Sequence, residues 1–255
     1  MQAPMRTQRY QWVQNSGKGY IVLPGLNSPA MSHFFGTRLL SDAEEPVPWA
    51  DLKRKGRSVR SRQIHGDQII HVTEETLGGE EPPAGDALIT DLPGILLAVS
   101  TADCVPILLL DPNRKAVAAV HAGWRGTLLN ISAKTALEMA ARFGSDPGDL
   151  LAGIGPSIGS CCYEVGPDVW REAKERFPYG KEAISRQSNE NEKATLDLAN
   201  LNRLQLVEAG LDPEKIALSG LCSFCNPNLF YSYRRDKKRM GHMISGVLLT
   251  AGFHE

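Results

Sequence analysis

Apolar residues in this chain come mostly in short unbroken runs. GILLAVS (94–100), VPILLLD (105–111) and AVAAV (116–120) are long enough for buried strands and too short for core helices. GYIVLP (19–24), HFFGTR (33–38), SVRSRQI (58–64), QIIHVT (68–73), DALIT (86–90), LLAGIG (150–155), IALSGLC (216–222) and ISGVLL (244–249) read the same way. Helical spacing appears in three places. Residues 127–143 put Leu129, Ala133, Ala136, Ala140 and Phe143 on one face, and Gly144 ends the helix. DVWREAKERF (168–177) turns Val169, Trp170, Ala173 and Phe177 inward, and residues 195–210 form a helix stopped at Gly210. Polar stretches at 41–57, 78–85 and 179–193 read as connections. Strands interleaved with helices, without a repeat or a linker, predict one α/β (α+β) domain over residues 1–255.

The runs place chemistry at their ends. Asp111–Lys115 is a turn, so 105–111 and 116–120 form a hairpin. Antiparallel pairing then sets Cys104, at the start of one strand, beside His121, at the end of the other. His65 lies in the His65-Gly66-Asp67 break between two strand-like runs. Two imidazoles and a thiolate suit a catalytic zinc, with the fourth position left for water or substrate. Spacings of 39 and 17 residues match no short zinc motif. The same residues also fit a metal-free Cys–His nucleophile pair, or a buried thiol with two unrelated histidines.

Gly123–Gly126 opens onto the 127–143 helix and Gly155–Gly159 is a second glycine-rich turn; both are candidate anion nests. Arg38, Arg125, Arg234 and Arg235 are candidate phosphate ligands, with Gly123 and Gly126 supplying backbone donors. Asp103 is a candidate proton acceptor beside Cys104, and also fits a turn-stabilising role. Tyr163, Phe230, Tyr231 and Tyr233 are candidates to stack on a ring-shaped substrate. Cys161-Cys162 and Cys222-x-x-Cys225 read as reduced thiols: neighbouring side chains diverge, which argues against a shared metal, and Asn-Pro follows the CxxC where a redox motif has a helix.

Charge narrows the partners. Twenty-eight Lys and Arg against 29 Asp and Glu leave a net charge of −1, which supports neither a nucleic-acid nor a membrane-surface partner. No run approaches the roughly 18 apolar residues of a membrane span. MQAPMRTQRYQW lacks the apolar core of a signal peptide, so a cytoplasmic location is expected. Oligomeric state leaves no sign in the sequence.

QIHGD (63–67), TADCVPILLLD (101–111), HAGWRGT (121–127), GPSIGSCCYEVG (155–166) and LFYSYRRD (229–236) resemble, in this order, the signature blocks of the multicopper polyphenol oxidase (laccase-like) family. That family is also described as purine nucleoside phosphorylases and includes the bacterial peptidoglycan editing factor. The resemblance implies a sandwich-like arrangement of mixed β-sheets flanked by helices. It implies one catalytic zinc per chain on His65, Cys104 and His121. The activity implied is phosphorolysis of adenosine, inosine, guanosine and methylthioadenosine, with nucleoside and phosphate as partners and adenosine deamination as a side activity. The older family label implies copper and phenol oxidation. Laccase chemistry needs several coppers and many histidines, whereas this chain has six, which favours a single zinc. A Cys104-dependent hydrolase of cell-wall precursors and a non-catalytic metal-binding module are the remaining alternatives. The chain departs from the family pattern at residues 39–57, where a glycine-rich, SLNL-like stretch is expected, and at Gly241-His242-Met243, where Gly-Arg-Met is usual.

Overall fold

The expected hairpin forms around its turn chemistry. In the computed structural model, β8 (Val105–Asp111) and β9 (Ala116–Ala122) pair antiparallel, with Val105 opposite Ala122 and Pro106 opposite His121. Asp111 closes the turn, Oδ1 accepting from the N–H groups of Asn113 and Arg114 at 2.9 Å each. The structure describes residues 10–15, 18–41, 57–79, 81–185, 192–237 and 241–250.

This hairpin is the middle of a six-stranded mixed sheet. Its order is β14 (Ile216–Leu218), β10 (Leu151–Ile154), β8, β9, β6 (Ala87–Thr90), β5 (Ile69–His71). A second six-stranded sheet runs β1 (Gln11–Asn15), β2 (Lys18–Val22), β3 (Met31–Gly36), β15 (Met243–Leu249), β7 (Ile95–Thr101), β4 (Arg57–Val59). A small third sheet joins β11 (Glu164–Val165), β13 (Ala194–Leu196) and β12 (Ile184–Ser185).

The two large sheets form a sandwich. Leu108, Leu110, Val117 and Ala119 meet Ile21, Phe35, Leu97, Val99 and Val247 between them. The alternate residues of the same hairpin, among them Ile107, Leu109, Ala118 and Val120, face a helical layer and join Ile131, Ala136, Met139, Trp170, Leu201 and Leu206. Burial on both faces explains why these strands read as unbroken apolar runs rather than alternating ones. The fold is therefore mixed α/β with sheets flanked by helices, as expected.

Several elements differ from the sequence reading. Residues 127–143 do not form one helix. A five-residue helix, Trp124–Leu128, ends at Leu129, and Ile131–Phe143 starts afresh after Asn130, whose φ of 65° is left-handed. Asparagine tolerates that conformation. The break is pinned by a buried polar network. Asn202 Nδ2 donates to Thr127 Oγ1 at 2.9 Å, Gln205 Nε2 to Thr127 O at 2.7 Å, and Ser132 Oγ to Gln205 Oε1 at 2.8 Å. Gly144 ends the second helix at φ 68°, as its sequence predicts.

Of 58–64 only Ser58 and Val59 are strand. Beyond them the Gln63 side chain replaces the ladder, donating to Ser100 O and accepting from Ser100 N–H at 2.8 Å each. Thr195 and Leu196 are strand rather than helix, because Asp197 caps the following helix Leu198–Glu208 by accepting from Asn200 N–H at 2.9 Å. The strand Gln11–Asn15 and the single turn Tyr233–Asp236 have no counterpart in the sequence reading. Most of the departure at 39–57 lies outside the described residues.

Candidate metal centre and its cleft

His65, Cys104 and His121 converge where the hairpin meets the 61–67 loop. Their ligand atoms lie within 4.8 Å of one another. The imidazoles of His65 and His121 sit edge to face, with ring centroids 4.9 Å apart. Cys104 immediately precedes β8 and His121 is the penultimate residue of β9, so the antiparallel register brings the two together. His121 is buried, Cys104 half-buried and His65 exposed, an arrangement closed toward the core and open toward solvent.

Asp86, which the sequence reading passed over, organises all of this. Its carboxylate is buried beneath the centre. Oδ1 accepts from His121 Nδ1 at 2.8 Å and from His65 N–H at 3.0 Å; Oδ2 accepts from Gly66 N–H at 2.8 Å and Ile64 N–H at 3.2 Å. Holding Nδ1 leaves Nε2 of His121 free to coordinate, as in a carboxylate–histidine–metal relation. The available sequence signal was a lone acid heading the fully buried strand ALIT. A buried carboxylate there needs donors, and none is local.

Electrostatics follow from these contacts. Burial disfavours the charge on His121, but Asp86 and the Cys104 sulfur outweigh it and carry its pKa up to about 9. Burial also disfavours the Cys104 thiolate, yet the two imidazoles bring its pKa down to about 7. A softened thiol between two imidazoles is a donor set that fits zinc or another borderline-soft divalent ion. Gly123 makes room for it. A Cβ at this position would lie 3.2 Å from Cys104 Sγ and 3.4 Å from His65 Cδ2. Gly126 serves the backbone instead. A Cβ there would meet Gly66 O at 2.7 Å, so the missing side chain lets the short helix seat on the His65 turn.

The centre forms part of the wall of a cleft of about 930 Å³. Arg125, Arg234 and Lys237 bring positive charge to it, and Trp124, Tyr163 and Tyr233 bring rings. Arg125 lies over the Trp124 ring at 4.3 Å, and Arg234 over Tyr163 at 5.2 Å. His242, where the chain departs from Gly-Arg-Met, also lines the cleft.

Other expected site residues are elsewhere. Arg38 stacks on Tyr231 at 4.4 Å and donates to Pro227 O, away from the cleft lining. Arg235 spends its guanidinium on Ser223 O, Phe224 O, Phe230 O and both oxygens of Asp236, which leaves no donor for phosphate. Phe230 is fully buried in the sandwich core. The 155–159 turn is no anion nest, because its amides are used internally: Gly155 donates to Pro106 O, Ser157 to Leu221 O and Ile158 to Asp103 O. The helix behind Gly123 is a single short turn, so the charge at this end of the cleft comes from Arg125 rather than a helix dipole.

Asp103 is buried, and its carboxylate accepts from Ser223 Oγ at 2.6 Å, Ser232 Oγ at 3.0 Å and Arg234 N–H at 2.7 Å. It ties Ser223, Ser232 and Arg234 to the turn that carries Cys104.

A sandwich of mixed sheets, with a His/Cys/His cluster able to hold a metal set into a cleft, places the chain among mixed α/β proteins. The chain belongs to the multi-copper polyphenol oxidoreductase laccase family, whose model matches residues 49–250. It is 40% identical over 245 residues to a purine nucleoside phosphorylase of Deinococcus radiodurans, covering 87% of this chain and 91% of that one. It is also 40% identical over 164 residues to a purine nucleoside phosphorylase of Bacteroides thetaiotaomicron, covering 64% of this chain and 60% of that protein's length. Adenosine deaminase RL5, from an unknown prokaryotic organism, is 38% identical over 195 residues and 74% of each chain. The crystal structure of YlmD from Geobacillus stearothermophilus superposes with a TM-score of 0.81 at 28% identity, covering 94% of this chain and 99% of that one. No helix among the described residues is long and apolar enough to cross a membrane.

Proposed function

We propose that this chain is a purine nucleoside phosphorylase with one zinc on His65, Cys104 and His121. One observation carries the reading: a single cleft joins an open three-donor centre to cations and to aromatic rings. When bound, zinc supplies a Lewis acid with a free position for an oxygen or nitrogen of the substrate. Arg125 and Arg234 hold inorganic phosphate, with Lys237 beside them. Tyr163 and Tyr233 flank the purine. A phosphate oxygen attacks C1′ of the ribose as the bond from C1′ to the purine nitrogen breaks. Positive charge grows on the ribose in the transition state, and the bound phosphate dianion both stabilises it and forms the new bond. The proton carried by hydrogen phosphate balances the one the departing purine gains. Asp103, with its oxygens already engaged by three donors, acts as a positioning residue that fixes Arg234 and the Cys104 turn.

Names among the relatives support the nucleoside reading, and the donor set speaks against laccase chemistry. A cluster of two histidines and a cysteine cannot furnish the several coppers that four-electron oxygen reduction needs. The test is to incubate purified, metal-quantified protein with inosine and with adenosine, with and without phosphate. Phosphate-dependent ribose 1-phosphate and free base are expected. Phosphate-independent base release points to hydrolysis, and inosine formed from adenosine points to deamination. Copper-dependent oxygen uptake with a phenol, and no nucleoside turnover, overturns the proposal. So does an activity that Cys104→Ser abolishes but metal chelation leaves intact.

A further inference from the structure

The remaining four cysteines make a second cluster. Cys161 and Cys162 follow β10; Cys222 and Cys225 follow β14. These two strands are parallel neighbours, Ala152 beside Ile216 and Ile154 beside Leu218, so the loops leaving them start side by side. A bridge between Ser157 and Cys222 extends the pairing into the loops, with Ser157 N–H on Leu221 O at 3.2 Å and Ser223 N–H on Ser157 O at 2.9 Å.

The expectation that adjacent cysteines diverge does not hold here. Cys162 and Tyr163 both donate their N–H groups to Gly159 O at 2.9 Å, a tight turn that swings both thiols to the same side. All four sulfurs lie within 4.8 Å of one another, Cys161 to Cys225 at 3.6 Å and Cys162 to Cys225 at 3.3 Å. Four thiolates around a zinc, each about 2.3 Å from the metal, place their sulfurs about 3.8 Å apart. These two contacts fall slightly below that value, and no pair lies more than about 1 Å above it.

The surroundings hold the CxxC sulfur and its turn in place. Gly159 N–H donates to Cys222 Sγ at 3.3 Å. Asn226 Nδ2 donates to Cys222 O at 2.8 Å and closes the CxxC turn. Arg235 binds the carbonyls of Ser223 and Phe224, the two residues between Cys222 and Cys225, and so fixes the backbone that carries both thiols. The donor set is soft and has no histidine or carboxylate, which selects zinc over the hard divalent ions.

We propose that Cys161, Cys162, Cys222 and Cys225 form a closed, structural zinc site, a second zinc beyond the one expected per chain. Its place gives it a purpose. Tyr163 adjoins Cys162 and lines the cleft, and the segment after Cys225 carries Tyr233 and Arg234 into the same cleft. The second zinc staples the two loops that build the substrate end of the site.

The test is metal stoichiometry, which does not depend on what the enzyme turns over. Protein expressed with zinc is expected to hold two per chain by elemental analysis. The His65→Ala/Cys104→Ser variant and the Cys161→Ser/Cys225→Ser variant are each expected to hold one. In the first of these, cobalt(II) replacing the remaining zinc is expected to give the intense visible bands and sulfur-to-metal charge transfer of a tetrahedral four-thiolate site. This variant keeps the proposal testable if the cysteine variant fails to fold. A His65→Ala/Cys104→Ser protein without metal or cobalt–thiolate bands overturns the proposal. So does an intact mass lower by two hydrogens, marking a Cys162–Cys225 disulfide in the purified wild type.

Discussion

Replacing Asp86 by asparagine separates the carboxylate beneath the centre from the ligands above it. Four donors share two oxygens: His121 Nδ1 and His65 N–H on Oδ1, Ile64 and Gly66 N–H on Oδ2. An amide of nearly identical shape offers one accepting atom. Whichever way it sits, two of these donors, buried or part-buried, face an NH₂ group. Hydrogen bonds to charged groups contribute about 1.5–3 kcal/mol each, so losing two costs about 3–6 kcal/mol. In a chain of about this size each kcal/mol lowers Tm by about 2–4 °C, giving a fall on the order of 10 °C. Zinc affinity is expected to drop as well, by about 10–100-fold, because His121 loses the charged acceptor that orients it. Calorimetry reads the first effect, and competition with a chromophoric chelator reads the second. An Asp86→Asn protein that melts with the wild type and holds zinc equally tightly refutes the assignment of Asp86 as the organiser. One that melts lower with unchanged zinc affinity reduces Asp86 to a structural residue.

Three further outcomes are expected. Gly123→Ala keeps an ordinary backbone, since Gly123 has φ −71°, but pushes a methyl against Cys104 Sγ and His65; metal content and turnover should fall with little change in Tm, and a fully loaded variant would show the cradle has slack. Gly36→Ala sets a Cβ 2.1 Å from Ile244 O across the β3–β15 pairing, and urea unfolding should show a loss of about 3 kcal/mol or more; an unchanged midpoint would contradict the packing. His33 is buried and its Nε2 accepts Leu23 N–H at 3.0 Å; burial brings its pKa from 6.5 down to about 4. Above pH 6.5 the ring is neutral in both states and adds no pH dependence. As pH falls from there to about 4 the unfolded chain takes up a proton that the folded one does not, so about 3 kcal/mol of stability is lost. Urea unfolding at both ends of that window should show this slope in the wild type and lose it in His33→Gln; equal slopes would exclude His33 as the source.

Legibility in the sequence tracked how local each determinant was. The central hairpin was readable because its turn carries its own chemistry, and the hairpin in turn placed Cys104 beside His121. Burial of the strands was readable, but not which residue faces which layer, because a strand buried on both faces has no alternation. The 127–143 helix misled because its apolar spacing runs on through Asn130, while the break is held by Asn202 and Gln205 from a helix some 70 residues away. Asp86 stayed hidden for the same reason, with donors about 20 residues distant. Among the arginines, residue type alone does not tell a satisfied guanidinium from a free one. Arg235 and Arg125 look alike until the carbonyls and carboxylate around Arg235 are seen. The converging cysteines depend on a turn at Gly159 that no spacing rule describes.

The backbone at His65 is itself unusual. Its φ is 59°, in the left-handed region where a side chain with a Cβ costs roughly 1–2 kcal/mol and where glycine or asparagine is at ease. Asp86 holds the turn there through its three backbone amides. A chain shaped only for durability would place glycine at 65 and give up an imidazole. The imidazole therefore occupies a position at odds with its own backbone, and under the proposed function the trade between robustness and chemistry is set at this one residue. Raising this chain's heat tolerance by placing an ordinary turn residue at 65 would remove a donor of the candidate metal centre first.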